Sequence, residues 1–217
     1  MTKPHYARIY FEWQKKASKY GAQQDLWMYE NYIKDKDTVL DFGCGGGYML
    51  EKLKGRNKYG VDINPYAMQV AAKKGIKVFA GLDKIPKKIK FDVILSHHTL
   101  EHVPYPFEGL KKLRLRLKQK GILICVVPID DWRSQKKYVA RDINKHMYTW
   151  TPLLLGNLFS EAGFRIKKIE IISRAWLPLS RIYYDYFPKF LYNFCSEAWS
   201  SIIRSRQIRI IAARKTS

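Results

Sequence analysis

The sequence is poor in cysteine, and it contains no long apolar run. Its three cysteines, Cys44, Cys125 and Cys195, are irregularly spaced, which excludes a disulfide framework and a paired-cysteine metal knuckle. The longest apolar run, residues 122–127, is far shorter than the roughly 20 residues of a membrane-spanning helix. The first residues also lack the apolar block of a secretory signal. A reducing cytoplasm is therefore the expected compartment.

Acidic residues are also scarce: the chain has 19 of them and 40 lysines and arginines, which gives a net charge of +21. Cations exceed acids by three in residues 1–36, by twelve in 37–172 and by six in 173–217, so the charge does not form a basic tail. This balance favours an anionic partner, whether nucleic acid, a phospholipid surface or a phosphorylated metabolite. Lysines that only solvate helix faces explain it equally well.

Between residues 37 and 172, short β-rich runs alternate with helix-like stretches, which is typical of a doubly wound α/β sheet. The predicted strands are 38–42, 59–63, 77–80, 91–95, 122–127, 164–172 and, near the end of the chain, 207–213. The predicted helices are 48–53, 65–74, 107–119 and 152–162.

Several residues predict where these helices begin and end. Asn64 and Thr151 each precede a proline and are predicted N-caps. Gly75, Gly121 and Gly163 are predicted to close helix C-termini. The capped helices support the α/β assignment.

The first strand runs into a glycine-rich turn, VLDFGCGGG at residues 39–47. A strand, a glycine turn and a helix start bring backbone N–H groups to the carboxyl edge of a sheet, where glycine lets a ligand lie on the backbone. Asp62 ends the next strand, 21 residues after Asp41, and is placed to bind ribose hydroxyls. The pattern indicates a nucleoside-containing cofactor.

The spacing of this turn distinguishes between cofactors. A dinucleotide-binding fingerprint requires a third glycine where this sequence has Tyr48. Asp41 instead stands two residues before the first glycine, and an acid there suits a ligand with an ammonium group better than a pyrophosphate. S-adenosylmethionine carries an ammonium group, so it is the predicted cofactor.

Residues 39–47, Asp62 and the stretch 91–103 together resemble the class I S-adenosylmethionine-dependent methyltransferases. The similarity is closest to the branch of the ubiquinone and menaquinone methyltransferases and small-molecule O-methyltransferases. It covers roughly residues 37–172. The resemblance implies a Rossmann-like sheet of seven strands with an antiparallel last strand, a place that residues 207–213 would fill.

The resemblance also implies roles for individual cofactor residues. The methionine moiety lies against the glycine turn, Asp62 holds the ribose, and Ile63 packs on the adenine. Gly81 and Leu82 align with a position after the third strand where the family often has an acid, and the acid here, Asp83, comes later. The predicted cofactor residues of the turn are Asp41, Gly43, Cys44 and Gly45.

A second constellation, SHHTLEHVP at residues 96–104, follows the fourth strand. The carboxyl ends of parallel strands face one crevice, so this loop is expected beside the glycine turn. Ser96 and His97 are predicted to approach the cofactor. His98 is a predicted catalytic residue.

The same loop has the spacing of a metal site, with His98, Glu101 and His102 in the pattern H-x-x-E-H. Quinone-biosynthetic members of the resembled family can use a metal with a carboxylate where His98 stands. We prefer the interpretation that Glu101 and His102 buttress the loop, so no metal is predicted.

Residues 142–152 follow the fifth strand, where acceptor-side residues lie in this fold. His146, with an ordinary pKa of about 6.5, could take the proton of an acceptor hydroxyl. Transfer from a sulfonium needs mainly in-line positioning and a base. His146 is the predicted catalytic base, with a structural role as the alternative.

The chain is predicted to be a single methyltransferase domain over residues 1–217. A helical cap spans 1–36, the cofactor-binding core 37–172, an aromatic and basic helical insertion 173–206, and the final strand 207–213.

Aromatic residues are concentrated in the cap and the insertion. Tyr10, Phe11 and Trp13 are expected to close over the cofactor cleft or to pack on the sheet edge. Nine aromatic residues lie between 174 and 199, interleaved with basic ones. This composition suits an anionic membrane surface, a cover over a greasy substrate, or a homodimer interface.

The sequence therefore predicts an enzyme that methylates a small-molecule, lipid-linked or glycan acceptor, at oxygen. It is expected in the cytoplasm, with peripheral membrane association as an option. An RNA methyltransferase and a non-catalytic cofactor-binding protein are the alternatives, and nucleic acid is the less favoured partner.

Overall fold

The computed structural model describes residues 8–130, 136–140, 142–180, 184 and 186–215, without the side chains of Ile9, Tyr10 and Trp13. Within these residues the strands are β1 (Thr38–Phe42), β2 (Asn57–Val61), β3 (Lys77–Phe79), β4 (Phe91–His97), β5 (Leu117–Ile129), β6 (Phe164–Ile172) and β7 (Arg206–Arg214). The α-helices are α1 (Arg8–Gln24), α2 (Tyr48–Lys52), α3 (Pro65–Ala72), α4 (Pro106–Arg116), α5 (Pro152–Glu161) and α6 (Lys189–Ile203).

The strands form one sheet in the order β3-β2-β1-β4-β5-β7-β6. The first five strands pair in parallel, and β7 lies between β5 and β6, antiparallel to both. The doubly wound sheet and the antiparallel last strand are therefore confirmed. The chain leaves β1 toward β2 and returns to its other side at β4, so a crevice opens at the carboxyl ends of these strands.

Apolar layers cover both faces of the sheet. On one face, α4 and α5 pack fully buried side chains against the strands: Leu110, Leu113, Leu155 and Phe159. On the other face, the layer comes from the segment after α1 together with α2 and α3: Met28, Tyr29, Leu50 and Ala71. Buried area of this kind supplies most of the driving force for folding.

The helix ends follow the predicted capping residues, with one exception. Asn64 Oδ1 accepts a hydrogen bond from the N–H of Tyr66 at 3.0 Å, and Thr151 Oγ1 accepts one from the N–H of Leu154 at 3.2 Å. Both predicted N-caps are thus confirmed. Gly163 adopts φ +85° just after α5, as predicted for a helix end.

The prediction of Gly121 as a helix C-cap is wrong, and so is the end of the predicted helix 107–119. Helix α4 ends at Arg116, and β5 begins at Leu117, which pairs with Phe91 of β4. The lysines after Leu117 are exposed, as lysines on the surface of a helix would be, but the backbone of these residues forms a strand. A Cβ on Gly121 would lie 2.8 Å from the carbonyl oxygen of Phe91, so the close approach of β4 explains this glycine.

The flanking segments are helical, as predicted. Helix α1 packs against α2 and α3, with Phe11 buried. The side chains of Tyr10 and Trp13 lie outside the described residues, so closure over the cleft stays a prediction. Helix α6 lies within the insertion, and its Ser196 Oγ donates to the carbonyl of Ala175 at 2.8 Å. Across the described residues, no helix has both the length and the apolar character to cross a membrane.

Arg209 of β7 ties the N-terminal segment to the sheet. Its buried guanidinium donates from Nη1 to the carbonyl of Met28 at 2.9 Å and from Nε to Glu170 Oε1 at 2.8 Å. It also lies 5.1 Å from the ring centroid of Trp27. These contacts hold the segment after α1 against β7.

We expect Arg209→Met to lower the free energy of unfolding by about 2–3 kcal/mol, because it leaves a buried carbonyl and a carboxylate without their donor. Urea denaturation followed by tryptophan fluorescence measures this loss. Arg206→Met, at the exposed start of the same strand, is the control and should cost less than about 0.5 kcal/mol. Equal losses in the two variants would contradict the assigned role of Arg209.

Candidate active site

The glycine turn after β1 is bonded to the end of β2. The N–H groups of Gly43 and Cys44 both donate to the carbonyl of Val61, at 2.8 and 3.0 Å. Gly43 and Gly45 have φ of +87° and +51°, in the left-handed region that favours glycine. A Cβ on Gly43 would collide with Thr99, whereas a Cβ on Gly45 would meet nothing within 4 Å. The backbone at Gly45 therefore borders open space that a ligand can enter.

Asp62 joins the ends of β1 and β2. Its Oδ2 accepts a hydrogen bond from the N–H of Gly45 at 2.7 Å, and its Oδ1 accepts one from the N–H of Asn64 at 2.8 Å. Burial raises the pKa of Asp62, while these backbone donors act in the opposite direction. Each carboxylate oxygen has a second lone pair that a ligand hydroxyl can use.

Asp41 and Cys44 lie beneath the turn. Asp41 is buried, and desolvation together with the nearby Asp62 carboxylate raises its pKa to about 7. A cation beside these two acids would offset the cost of burying their charge. The Cys44 side chain points into the interior and packs against Gly60: a Cβ on Gly60 would lie 2.5 Å from Cys44 Sγ. Cys44 therefore shapes the turn through its backbone.

The other predicted residues of the adenosine side differ in exposure. Ile63, directly after Asp62, is 66% exposed, whereas Leu82 is buried. Gly81 has extended backbone, and a Cβ there would lie 2.6 Å from Asp83 Oδ1. The carboxylate of Asp83 thus folds back beside Gly81, although it comes two residues later in the sequence.

At the end of β4, Ser96 and His97 are consecutive strand residues and face opposite sides of the sheet. Ser96 is buried and pairs in register with Cys125 of β5. His97 Nδ1 lies 2.7 Å from Tyr29 Oη, and its Nε2 lies 3.6 Å from Asp25 Oδ2. Burial lowers the pKa of His97 and raises that of Asp25 to about 7. No local pattern in the sequence associates Asp25 or Tyr29 with this loop.

His98 does not join Glu101 and His102 as the H-x-x-E-H spacing suggested. Its backbone is left-handed, its ring stacks on His97 with centroids 4.5 Å apart, and its Nε2 lies 2.9 Å from Gln207 Oε1. Burial lowers the pKa of His98. Among the described residues, three potential metal ligands have their ligand atoms within 4.8 Å of one another: Glu101, His102 and His146.

His146 is paired with an acid. Its Nδ1 lies 2.9 Å from Asp130 Oδ2, and this hydrogen bond raises its pKa. The ring meets His102 edge-on, with centroids 4.9 Å apart. A carboxylate at Nδ1 fixes the tautomer of an imidazole and leaves Nε2 to accept a proton. Sequence reasoning missed Asp130, although an acid directly after β5 was a usable signal.

Beneath these loops, Glu101 is fully buried. Burial raises the pKa of its carboxyl group to about 7. Its backbone carbonyl accepts a hydrogen bond from the N–H of Met147 at 2.9 Å. Glu101 thus joins the β4 loop to the segment that carries His146, as expected of a residue that buttresses the site.

A cavity of about 260 Å³ lies between the N-terminal segment and the insertion. Gln24 is buried at its wall, and its Nε2 has no hydrogen-bond partner. Asp25, also in the wall, connects the cavity to His97. Other side chains that line it are aromatic or polar: Trp27, Arg174, Trp176, Tyr184, Tyr192 and Asn193.

The sequence profile of a methyltransferase domain family matches residues 13–169. The chain therefore belongs to this family. A tRNA U34 carboxymethyltransferase of Aeromonas hydrophila is 34% identical over 105 residues, which cover 43% of this chain and 32% of that protein. A ubiquinone biosynthesis O-methyltransferase of Actinobacillus pleuropneumoniae is 33% identical over 114 residues, 43% of this chain and 49% of that protein. The chain thus spans a third to a half of the length of these relatives.

Solved structures share the fold. A chain from the complex between the Haloferax volcanii Trm112 methyltransferase activator and a methyltransferase aligns with a TM-score of 0.67 at 16% identity, covering 95% of this chain and 98% of that one. A phosphoethanolamine N-methyltransferase of Haemonchus contortus shares the fold, with a TM-score of 0.63, and has been solved with S-adenosylmethionine and with S-adenosylhomocysteine bound. The protein is a class I S-adenosylmethionine-dependent methyltransferase, and the predicted enzyme class and cofactor are confirmed.

Proposed function

We propose that this methyltransferase methylates an oxygen atom of a small-molecule, lipid-linked or glycan acceptor. The observation that carries the proposal is the Asp130–His146 pair at the end of β5, because a hydroxyl must lose its proton as it is methylated. The pair stands at the carboxyl edge of the sheet, the edge that also carries the glycine turn.

The geometry around the glycine turn fits S-adenosylmethionine. The open space beside Gly45 admits a ligand to the backbone, and an ammonium group would offset the cost of burying Asp41. Asp62 keeps lone pairs for the ribose hydroxyls, and the exposed Ile63 offers an apolar surface to the adenine. We assign the remaining cofactor contacts to the predicted residues Gly43, Cys44, Gly81, Leu82, Ser96 and His97.

The cavity between the N-terminal segment and the insertion is our candidate for the acceptor pocket. A buried donor without a partner costs about 1–3 kcal/mol, so the Gln24 amide favours an acceptor with an oxygen at this wall. Aromatic and amide side chains around it suit a hydroxylated ring. Asp25 connects the cavity with His97, which also contacts Tyr29. Burial raises the pKa of Tyr29, and the nearby charge of Asp41 acts in the same direction.

Bound S-adenosylmethionine supplies an electrophilic methyl group on a sulfonium. His146 takes the proton of the acceptor hydroxyl at Nε2, while Asp130 holds Nδ1 and favours the imidazolium that results. His98, fixed by Gln207 and stacked on His97, is the second catalytic residue in this proposal and orients the acceptor.

We expect Asp62→Ala to weaken binding of S-adenosylhomocysteine about 10- to 100-fold, because the ribose hydroxyls lose their acceptor. Calorimetric titration measures the affinity, and NAD serves as a ligand that should not bind. Asp35→Ala, which removes an exposed acid just before β1, is the control. If Asp62→Ala binds as the unaltered protein does, the ribose assignment is wrong. Thermal denaturation distinguishes lost affinity from unfolding.

We expect His146→Gln to lower the rate of methyl transfer by about 10²–10⁴-fold while leaving cofactor affinity unchanged. The assay follows tritiated methyl groups from S-adenosylmethionine into lipid, glycan and tRNA extracts. The base must be neutral, so the rate should rise with pH through the pKa of His146, which Asp130 raises. Lys145→Gln, at the exposed neighbour, should keep full activity. A normal rate in His146→Gln would remove this residue from the mechanism.

RNA is the second candidate acceptor, because the net charge is +21 and a relative is named for a tRNA nucleotide. If RNA is the substrate, tritium enters the tRNA fraction and the rate falls steeply with salt, since cations that bind phosphates release counterions. Our proposal predicts the opposite: label in lipid or glycan, and no competition by added tRNA. Labelled tRNA without labelled lipid or glycan would replace it with the RNA function.

A further inference from the structure

Helix α6 carries an apolar stripe on its outer face. Phe190, Phe194 and Ile202 are 77%, 70% and 71% exposed. With Leu191 they recur at helical spacing and lie within one-third of the helix circumference. The opposite face packs inward through its buried residues, which are Tyr192, Ser196 and Ser200.

Such a stripe needs an explanation. Single exposed apolar residues are normal on a protein surface, but aromatic residues aligned along one helix face usually mark a contact site. The described residues of this chain leave the stripe uncovered, and Phe187 extends it before the helix begins.

The charges around the stripe favour a phospholipid surface. Two arginines, Arg204 and Arg206, follow directly after the helix, and Glu197, the only acid of α6, is paired with Arg174 at 3.4 Å. A second copy of the chain would bring another +21 charges and be repelled. A nucleic acid offers phosphates to the cations but no apolar layer to the phenylalanines. An anionic bilayer offers both.

We infer that α6 docks this enzyme on the surface of an anionic phospholipid membrane, with Phe190 and Phe194 in the interface and the cations at the headgroups. The inner face of the same helix lines the cavity through Tyr192 and Asn193. Docking therefore brings the cavity beside the lipid. The preference for a lipid-linked acceptor rests on the proposed function, whereas docking itself does not.

Vesicle sedimentation tests the docking without any methyl transfer. The unaltered protein should bind phosphatidylcholine vesicles that contain about 30% phosphatidylglycerol, bind pure phosphatidylcholine weakly, and dissociate as salt rises. The double variant Phe190→Ser, Phe194→Ser should lose at least about tenfold in partitioning. The control is Leu153→Ser, Leu154→Ser, which removes two exposed leucines from α5 and should bind normally.

Absence of binding to anionic vesicles would overturn the inference, and so would an equal loss in the α5 control. If the unaltered protein does not bind vesicles but sediments as a dimer, and the α6 variant sediments as a monomer, the stripe is a self-association surface. If the protein binds tRNA but not vesicles, and the α6 variant loses that binding, the stripe is a nucleic-acid-binding surface. Circular dichroism and S-adenosylhomocysteine titration of both variants confirm that they are folded.

Discussion

The site depends on the two hydrogen bonds that the Asp62 carboxylate accepts from the N–H groups of Gly45 and Asn64. They link the turn after β1 to the end of β2, and so they fix the backbone that borders the crevice where the strand order reverses. Asp41 is buried and Asp62 is half-buried, so both carboxylate charges are costly without a cation beside them. A cationic ligand relieves that cost, so the same constraint that shapes the crevice also selects its ligand.

Apart from the glycine turn, the residues at and just after the end of β4 contact different groups on the two faces of the sheet. His97 faces Asp25 and Tyr29, next to the cavity, whereas the other face carries Glu101, next to His146. The end of β4 thereby lies between the proposed acceptor cavity and His146, the proposed base. Desolvation shifts the pKa values of Asp25, His97 and Glu101 from their ordinary values, whereas the hydrogen bond to Asp130 raises that of His146.

Much of the fold could be predicted, because strands, N-caps and the glycine turn leave local signals. The strands 38–42 and 164–172 have the predicted bounds, and Asn64 caps α3 as expected. The prediction failed where tertiary pairing overrode local pattern: β5 starts at Leu117 because β4 offers it a partner, although the sequence continues as a charged helix. The three residues of the H-x-x-E-H spacing, for which no metal was predicted, do not come together: His98 contacts Gln207 of the distant β7, whereas Glu101 and His102 lie with His146.

By itself, the sequence determined the class of enzyme and its cofactor, because the glycine turn and Asp62 belong to one continuous strand-turn-helix-strand unit whose geometry is local. Tertiary structure alone decided which groups complete the site. Asp25 and Tyr29 meet His97 across some 70 residues of chain, as the pairing of Tyr29 with His97 shows, and Asp130 meets His146 across a loop. Such contacts depend on how layers pack on the sheet, and no spacing along the chain encodes them.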